Sequence, residues 1–267
     1  MKTIAVYGNI VVDNIYETDI MDKDAHAVQC SDYAKALGGV ANVAASLTAL
    51  KHKVTCCAAV SFEDVGTISD QLAKERIASR LQGYNGHTAT ASILSFKRLA
   101  EKQSMVAWGC SKKYKPEVIQ ADWHHIAYLD ALPLCTNSFL NGLENNVSAD
   151  LCIGSYTDDD RERLRALMKD ICFVFMSDHE ADSFFEYHAI DNVADVATII
   201  HHAGGSDIYC EDGKIEVCIP PVDGVNVLGA GDVFASRCID NLLKGFGTFD
   251  AVRESHEFTT KVLCQTL

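Results

Sequence analysis

Residues 225–245 read VNVLGAGDVFASRCIDNLLKG. A short apolar run at 225–228 has the look of a strand and leads into Gly229-Ala230-Gly231-Asp232, after which a helical pattern begins. Phe234, Cys238 and Leu242 recur at every fourth position with Ile239 and Leu243 beside them, and Lys244-Gly245 gives a cationic last turn and a C-terminal cap. The glycines therefore open a helix, where unpaired N–H groups and the helix dipole attract anions. Bare backbone at Gly229 and Gly231 lets a phosphoryl group approach closely. Asp232 cannot hold a phosphate, yet its carboxylate can take a proton from an attacking hydroxyl. From spacing alone a second reading stands beside this one, in which the glycines make a tight turn and Asp232 only caps the helix.

A second glycine pair precedes another helical pattern, in Leu37-Gly38-Gly39-Val40-Ala41-Asn42-Val43-Ala44-Ala45. Asn42 lies in an otherwise apolar helix start, and a buried amide left without hydrogen bonds costs about 1–3 kcal/mol. A polyhydroxy ligand could be its partner, with Gly39 allowing close approach. Local backbone is the other candidate.

Around these two signatures, continuous apolar runs alternate with helical patterns, which is the pattern of a mostly parallel sheet covered on both faces. Strands are expected at 3–7, 54–60, 125–129, 150–153, 172–176 and 197–201, with helices or helical turns at 40–50, 65–77, 158–168 and 191–196. The order predicts an α/β chain with a three-layer α/β/α core. Residues 9–33 and 87–108 break the rhythm with polar-apolar alternation, as in TATASILSF, and predict a small β-sheet lid. No repeat or linker divides the chain, so residues 1–267 are read as one domain carrying lid segments at about 9–33 and 87–108.

Composition excludes several classes. A formal charge of −14 argues against nucleic-acid binding, which needs clustered Lys and Arg. No run approaches the roughly 18 apolar residues of a membrane span. The N-terminal MKTIAVYGNI enters a strand directly, without a signal or transit pattern, and the 11 cysteines show no ligand spacing, so a reducing, cytoplasmic setting is expected. The pairs His124-His125 and His201-His202 tempt a metal reading, but adjacent residues in a strand point to opposite faces, and structural roles are expected. Lys97, Arg98 and Lys102 on the lid are read as a solvated basic face, with an anionic substrate as the alternative.

GGVANVAASLTAL followed much later by GAGDVF resembles the two signatures of the ribokinase-like (PfkB) carbohydrate kinase family. The likeness runs over essentially the whole chain, since VYGNIVVDNI is similar to the family's opening strand with its substrate-binding aspartate, AAVSFEDVG to its acidic turn, and SDHEA to its Asn-x-x-Glu motif. The resemblance implies ATP-dependent phosphorylation of a hydroxymethyl group on a sugar or sugar-like small molecule. It implies Asp232 as general base, the amides of Gly229, Ala230 and Gly231 as anion hole, and Asp13, Gly38, Gly39 and Asn42 as the substrate site. Glu180 would act through water on Mg²⁺, and two copies would pair through the lid.

The chain departs from the family pattern at Ser61 and Glu63 in the acidic turn, at Ser177 in the SDHEA segment, and at Asn226-Val227-Leu228 before GAGD, while Ala203-Gly204-Gly205-Ser206 resembles the nucleotide loop only loosely. The lid and pocket residues do not separate a sugar kinase from a nucleoside or fructosamine kinase of the same fold, and the altered Ser177 and Asn226-Val227-Leu228 keep open a ligand-binding regulatory pseudokinase. The absence of GxxxxGK[ST] and GxGxxG removes support from P-loop and dinucleotide readings.

Overall fold

The computed structural model describes residues 1–18, 30–96, 102–144, 146–152, 155–185, 197–202, 204–211, 213–220 and 228–265. The chain begins with β1 (Thr3–Gly8), a strand whose Ile4 and Val6 point to one face and Ala5 and Tyr7 to the other, all at most 1% exposed. Burial on both faces is what a continuous apolar run encodes. Beside β1 lie β4 (Lys53–Ser61) and β5 (Ala78–Tyr84) on one side, and β8 (Trp123–Ile126), β9 (Asn146–Asp150), β10 (Phe173–Ser177) and β11 (Ala197–His202) on the other, all parallel. An antiparallel pair, β12 (Gly205–Cys210) and β13 (Gly213–Cys218), completes a nine-stranded sheet.

Helices cover both faces. Helices α1 (Val40–Ala49), α2 (Val65–Lys74), α6 (Ala230–Leu243) and α7 (Thr248–Gln265) pack Leu47, Leu72, Phe234, Ile239 and Val252 on the face of Ile4 and Val6. On the opposite face, α3 (Asn137–Leu140), α4 (Asp158–Met168) and α5 (Asp178–Phe185) bring Phe139, Leu164, Leu167 and Phe184 to Tyr7. The expected three layers are present.

A separate four-stranded sheet stands off this core, in the order β3 (Asp32–Gly39), β2 (Ile10–Thr18), β6 (Ala89–Phe96), β7 (Lys102–Ala107). The alternation read in TATASILSF is visible as burial, since Ala89, Ala91 and Ile93 pack with Val11 while Thr90, Ser92 and Leu94 are half-buried. β3 runs on to Gly39 and feeds directly into α1, so this sheet is coupled to the helix that carries Asn42.

Several expected boundaries differ. The strand expected at 125–129 occupies Trp123–Ile126 and gives way to a 3₁₀ turn at Leu129–Ala131, and the strand expected at 150–153 lies earlier, at Asn146–Asp150. The helix expected to reach 77 stops at Lys74, because Arg76 turns left-handed and the chain enters β5. The helical turn expected at 191–196, most of the strand at 225–228, and Lys97, Arg98, Asn226, Val227 and Ala203 lie outside the described residues. Among the described residues no helix is long and apolar enough to cross a membrane.

Candidate active site

Strand order reverses direction at β1. From it the chain steps outward through β4 and β5, then returns to β8 on its other side and continues to β11. In such sheets the crevice beyond the carboxyl ends of the strands flanking the reversal is where ligands bind. Asn9 and Asp13 follow β1 there, and Tyr128 follows β8.

One half of the crevice is built from β2, β3 and α1. Gly39 has φ 63, a left-handed conformation, and a Cβ there would run into the carbonyl oxygen of Asn9. That oxygen accepts from Val40 N at 3.0 Å and so ties the start of α1 to the end of β1. A Cβ at Gly38 would overlap the Asp13 carboxylate, so the bare backbone at 38 seats that side chain. Asn42 follows in the first turn of α1, and its Nδ2 donates to Asp232 Oδ2 at 3.2 Å across 190 residues of sequence. Its partner is thus the carboxylate at the head of α6. Next to Asn42 a cavity of about 520 Å³ opens between β2–β3 and α1–α2, lined also by Val12, Leu37, Asp64, Thr67 and Gln71.

The other half is the N-terminus of α6. Gly229 caps it with φ 78, which only glycine adopts without strain, so the turn itself requires this residue. Gly231 is different. A Cβ there would lie 3.6–3.7 Å from the His201 ring, an ordinary contact, so the fold has room for a side chain at 231. The two readings of the glycine pair therefore divide, Gly229 serving the turn and Gly231 leaving space at a helix N-terminus that packing does not use. His201 closes the far side of that space, and burial pulls its imidazole down to about 4, which keeps it neutral. Beside Gly229 and Ala230 a cavity of about 200 Å³ is lined by Leu228, Val233, Thr259, Val262 and Leu263.

Behind both halves lies a group of acids. Glu180, in the first turn of α5, accepts from Ser177 N at 2.7 Å, and Glu180 N donates to Ser177 Oγ at 3.3 Å, a reciprocal cap of that helix. Burial, opposed by the hydrogen bonds from Ser177 and assisted by the fields of Asp150 and Asp130, pushes its carboxyl up to about 7. Asp150 accepts from Tyr128 N and contacts His125 Nε2 at 3.3 Å, while Asp130 accepts from Cys152 N at 2.9 Å and from the Tyr156 hydroxyl at 2.8 Å. His124 and His125 make hydrogen bonds inside the protein. His124 bonds Glu144 O and Tyr7, and His125 bonds Ser148 Oγ at 2.9 Å.

A family model described as pfkB family carbohydrate kinase matches residues 1–265. The chain belongs to this family. Among solved structures, the PfkB-family chain resembles adenosine kinase from Sinorhizobium meliloti, with a TM-score of 0.80 and 16% identity over 98% of this chain and 94% of that one. A nucleoside kinase of Burkholderia thailandensis in complex with inosine aligns at TM-score 0.77 and 16% identity, covering 96% and 89%. A ribokinase from Cryptococcus neoformans in complex with ADP aligns at 0.75 and 16%, covering 94% and 90%. At such identities the likeness is one of fold. No curated protein matches the chain.

Mg²⁺ is a cofactor that PfkB kinases are expected to use, and the acids here suit it in one manner only. Among the described residues no three His, Cys, Asp or Glu side chains converge as a cage. Magnesium keeps several waters and is commonly held by one or two carboxylates plus substrate phosphates, which fits a half-buried Glu180 acting through water. A carboxylate held for a cation should cost stability when none is bound. Because the folded pKa of Glu180 lies above its unfolded value of 4.5, stability is full below that pH and is lost as pH rises through about 7. Glu180→Gln is therefore expected to melt above the wild type at about pH 8, by on the order of 2 kcal/mol, and to match it near pH 4.5. Equal melting at both pH values would count against a strained carboxylate.

The sequence did not single out Tyr128, Asp130 or Asp150 as residues of this PfkB-family crevice, and it read His201 only as one of a histidine pair. Asp150 and His201 stand near strand ends and Tyr128 and Asp130 in the turn after β8, and nothing in their spacing marks them.

Proposed function

We propose that the protein transfers the terminal phosphoryl group of ATP to a hydroxymethyl group of a sugar or sugar-like acceptor. The observation that carries this reading is the Asn42–Asp232 hydrogen bond, which sets the acceptor-side helix against the carboxylate at the head of α6. Asp13, seated on Gly38, and Asn42 hold acceptor hydroxyls, and Gly39 keeps the backbone close. Asp232 takes the proton as the acceptor oxygen attacks phosphorus in line, and the bond from phosphorus to the bridging oxygen breaks to release ADP. The amides of Gly229, Ala230 and Gly231 meet the charge that develops on the phosphoryl oxygens. Positioning and charge neutralisation are what phosphoryl transfer demands. Glu180 would hold Mg²⁺ through water, and the ion would supply further charge neutralisation when bound. The apolar 200 Å³ cavity beside Gly229 suits the purine of the donor.

A nucleoside acceptor is the second reading, favoured by the 520 Å³ cavity that extends past Asn42 and is larger than a monosaccharide needs. The nucleoside and adenosine kinases of similar fold point the same way. A pseudokinase is disfavoured by Asp232 and by the unused room at Gly231. All 11 cysteines are free thiols, which supports work in the cytoplasm. Exposed Tyr33, Met105 and Val106 on β3 and β7 support pairing of two copies through the small sheet.

The test is ADP release from ATP and Mg²⁺ with D-ribose, D-fructose, adenosine and inosine as acceptors, followed by calorimetry on the best of them. Asp13→Ala should weaken acceptor binding by about 1.5–3 kcal/mol, the usual worth of hydrogen bonds to a charged group, and leave ATP affinity unchanged. Gly38→Ala should act in the same direction by displacing the Asp13 carboxylate. Unchanged acceptor binding in Asp13→Ala would remove the site assignment.

A further inference from the structure

Three non-glycine residues among those described have positive φ, namely Lys51, Arg76 and Tyr128. The first two need no functional explanation. Each follows a helix as the left-handed residue of its C-terminal cap, with Lys51 N bonding Thr48 O and His52 N bonding Leu47 O after α1, and Arg76 N bonding Ala73 O and Ile77 N bonding Leu72 O after α2. Tyr128 ends no helix. It follows β8, at φ 61 and ψ 55, a costly conformation for a bulky aromatic residue. Such strain persists where the surroundings over-determine it, and it gathers at functional sites.

The surroundings of Tyr128 do over-determine it. Its N–H donates to the Asp150 carboxylate, and its carbonyl oxygen accepts from Ala131 N at 2.9 Å in the 3₁₀ turn that follows. That turn is pinned in its own right, because Asp130 accepts from Cys152 N and from Tyr156. The result places a half-buried tyrosine at the reversal point of the sheet. Burial first, and then the carboxylates of Asp232, Asp150 and Asp13, hold its hydroxyl far above the usual phenol range, so it keeps its proton. Those carboxylates include both the proposed base and the proposed acceptor-binding acid.

The chemistry of the crevice gives this proton a use. Ionised Asp13 and Asp232 only accept hydrogen bonds, whereas each hydroxyl of a polyol or ribose both donates and accepts. Asn42 already commits an N–H to Asp232. One further N–H of that amide is left for the oxygens of a bound acceptor, and a hydroxyl that keeps its proton, lying within the field of the same carboxylates, adds a second donor. We propose that Tyr128 is a specificity-determining residue of the acceptor site, donating a hydrogen bond to an oxygen of the bound acceptor between Asp13 and Asp232. The inference rests on the acceptor site proposed above.

Tyr128→Phe keeps the ring and the backbone and removes only the donor. Calorimetry with D-ribose, D-fructose, adenosine and inosine, alongside kcat and KM for each with ATP and Mg²⁺, reads its effect. The expected result is a rise of about tenfold or more in Kd and KM for the best acceptor, with ADP affinity and melting temperature unchanged. A purely structural tyrosine would move melting and leave the acceptor KM where it was. Acceptor Kd within twofold of wild type would overturn the proposal even where the wild type turns over, leaving the kinase reading intact. A wild type that binds an acceptor without phosphorylating it would sink the kinase reading, and weaker binding by Tyr128→Phe would still uphold Tyr128. If the wild type bound none of the four, both would fall.

Discussion

Asp232→Asn is expected to fold, to bind ATP within a few-fold of the wild type, and to lose about 10²–10⁴ in kcat, the usual worth of general-base assistance. The fold should survive because an amide oxygen can still accept from Asn42 Nδ2, so the 3.2 Å contact between α1 and α6 has a replacement. Removing a carboxylate from the first turn of α6 gives up about 0.3–1 kcal/mol of interaction with the helix dipole. The amide cannot take a proton, which is the whole of the expected defect. Single-turnover rates with the best acceptor, beside calorimetric ATP affinity, separate the two quantities. A variant with near-full kcat would remove Asp232 from the role of base.

The head of α6 is legible in sequence because its determinants are local. A glycine turn, an acid in the first turn and apolar residues at helical spacing lie within 20 residues of one another. The central strands are legible for a related reason, since burial on both faces writes an uninterrupted apolar run. Where a strand lies at the sheet's margin the writing fades. β5, ASRLQGY, has one neighbour and mixed burial, and no strand is expected there from its sequence. The hairpin of β12 and β13 likewise goes unread, although Asp212-Gly213 between two alternating runs is a hairpin signal. At residues 125–129 the opposite error occurs. His-Ile-Ala-Tyr-Leu stays apolar after the strand has ended, because the 3₁₀ turn is buried too, and periodicity cannot tell a buried turn from more strand.

The site divides along the same line. The pairing of Ser177 with Glu180 is a spacing of three and is visible as a cap, but that burial lifts the Glu180 carboxyl depends on acids from β9 and the turn after β8. Asn42 poses a question in sequence, since its amide needs a partner, and the answer lies 190 residues away. Neither a polyol nor local backbone is needed to satisfy it. Only the closing of α1 on α6 makes Asp232 its partner, and no local pattern encodes that contact. Tyr128 is less legible still, because an aromatic residue in a left-handed conformation runs against its own backbone preference.

Gly231→Ala is expected to fold at least as well as the wild type and to lose about 10²-fold or more in kcat, the cost of blocking one preorganised N–H donor. Both halves of this outcome come from the same space. A methyl at 231 lies 3.6–3.7 Å from the His201 ring, so nothing in the protein must move, and alanine in place of glycine within a helix adds up to about 0.5–1 kcal/mol. The methyl instead stands where a phosphoryl oxygen would meet the amides of Ala230 and Gly231, an interaction that strengthens as charge develops, so kcat should fall more than acceptor KM rises. Gly231→Val, with two further carbons, should deepen the loss. Gly229→Ala supplies the contrast, since φ 78 is strained for any side chain and that variant should lose melting temperature along with activity. A Gly231→Ala protein that kept its kcat would return both glycines to the turn alone, and one that lost stability in step with activity would show that the fold needs the bare backbone at 231 after all.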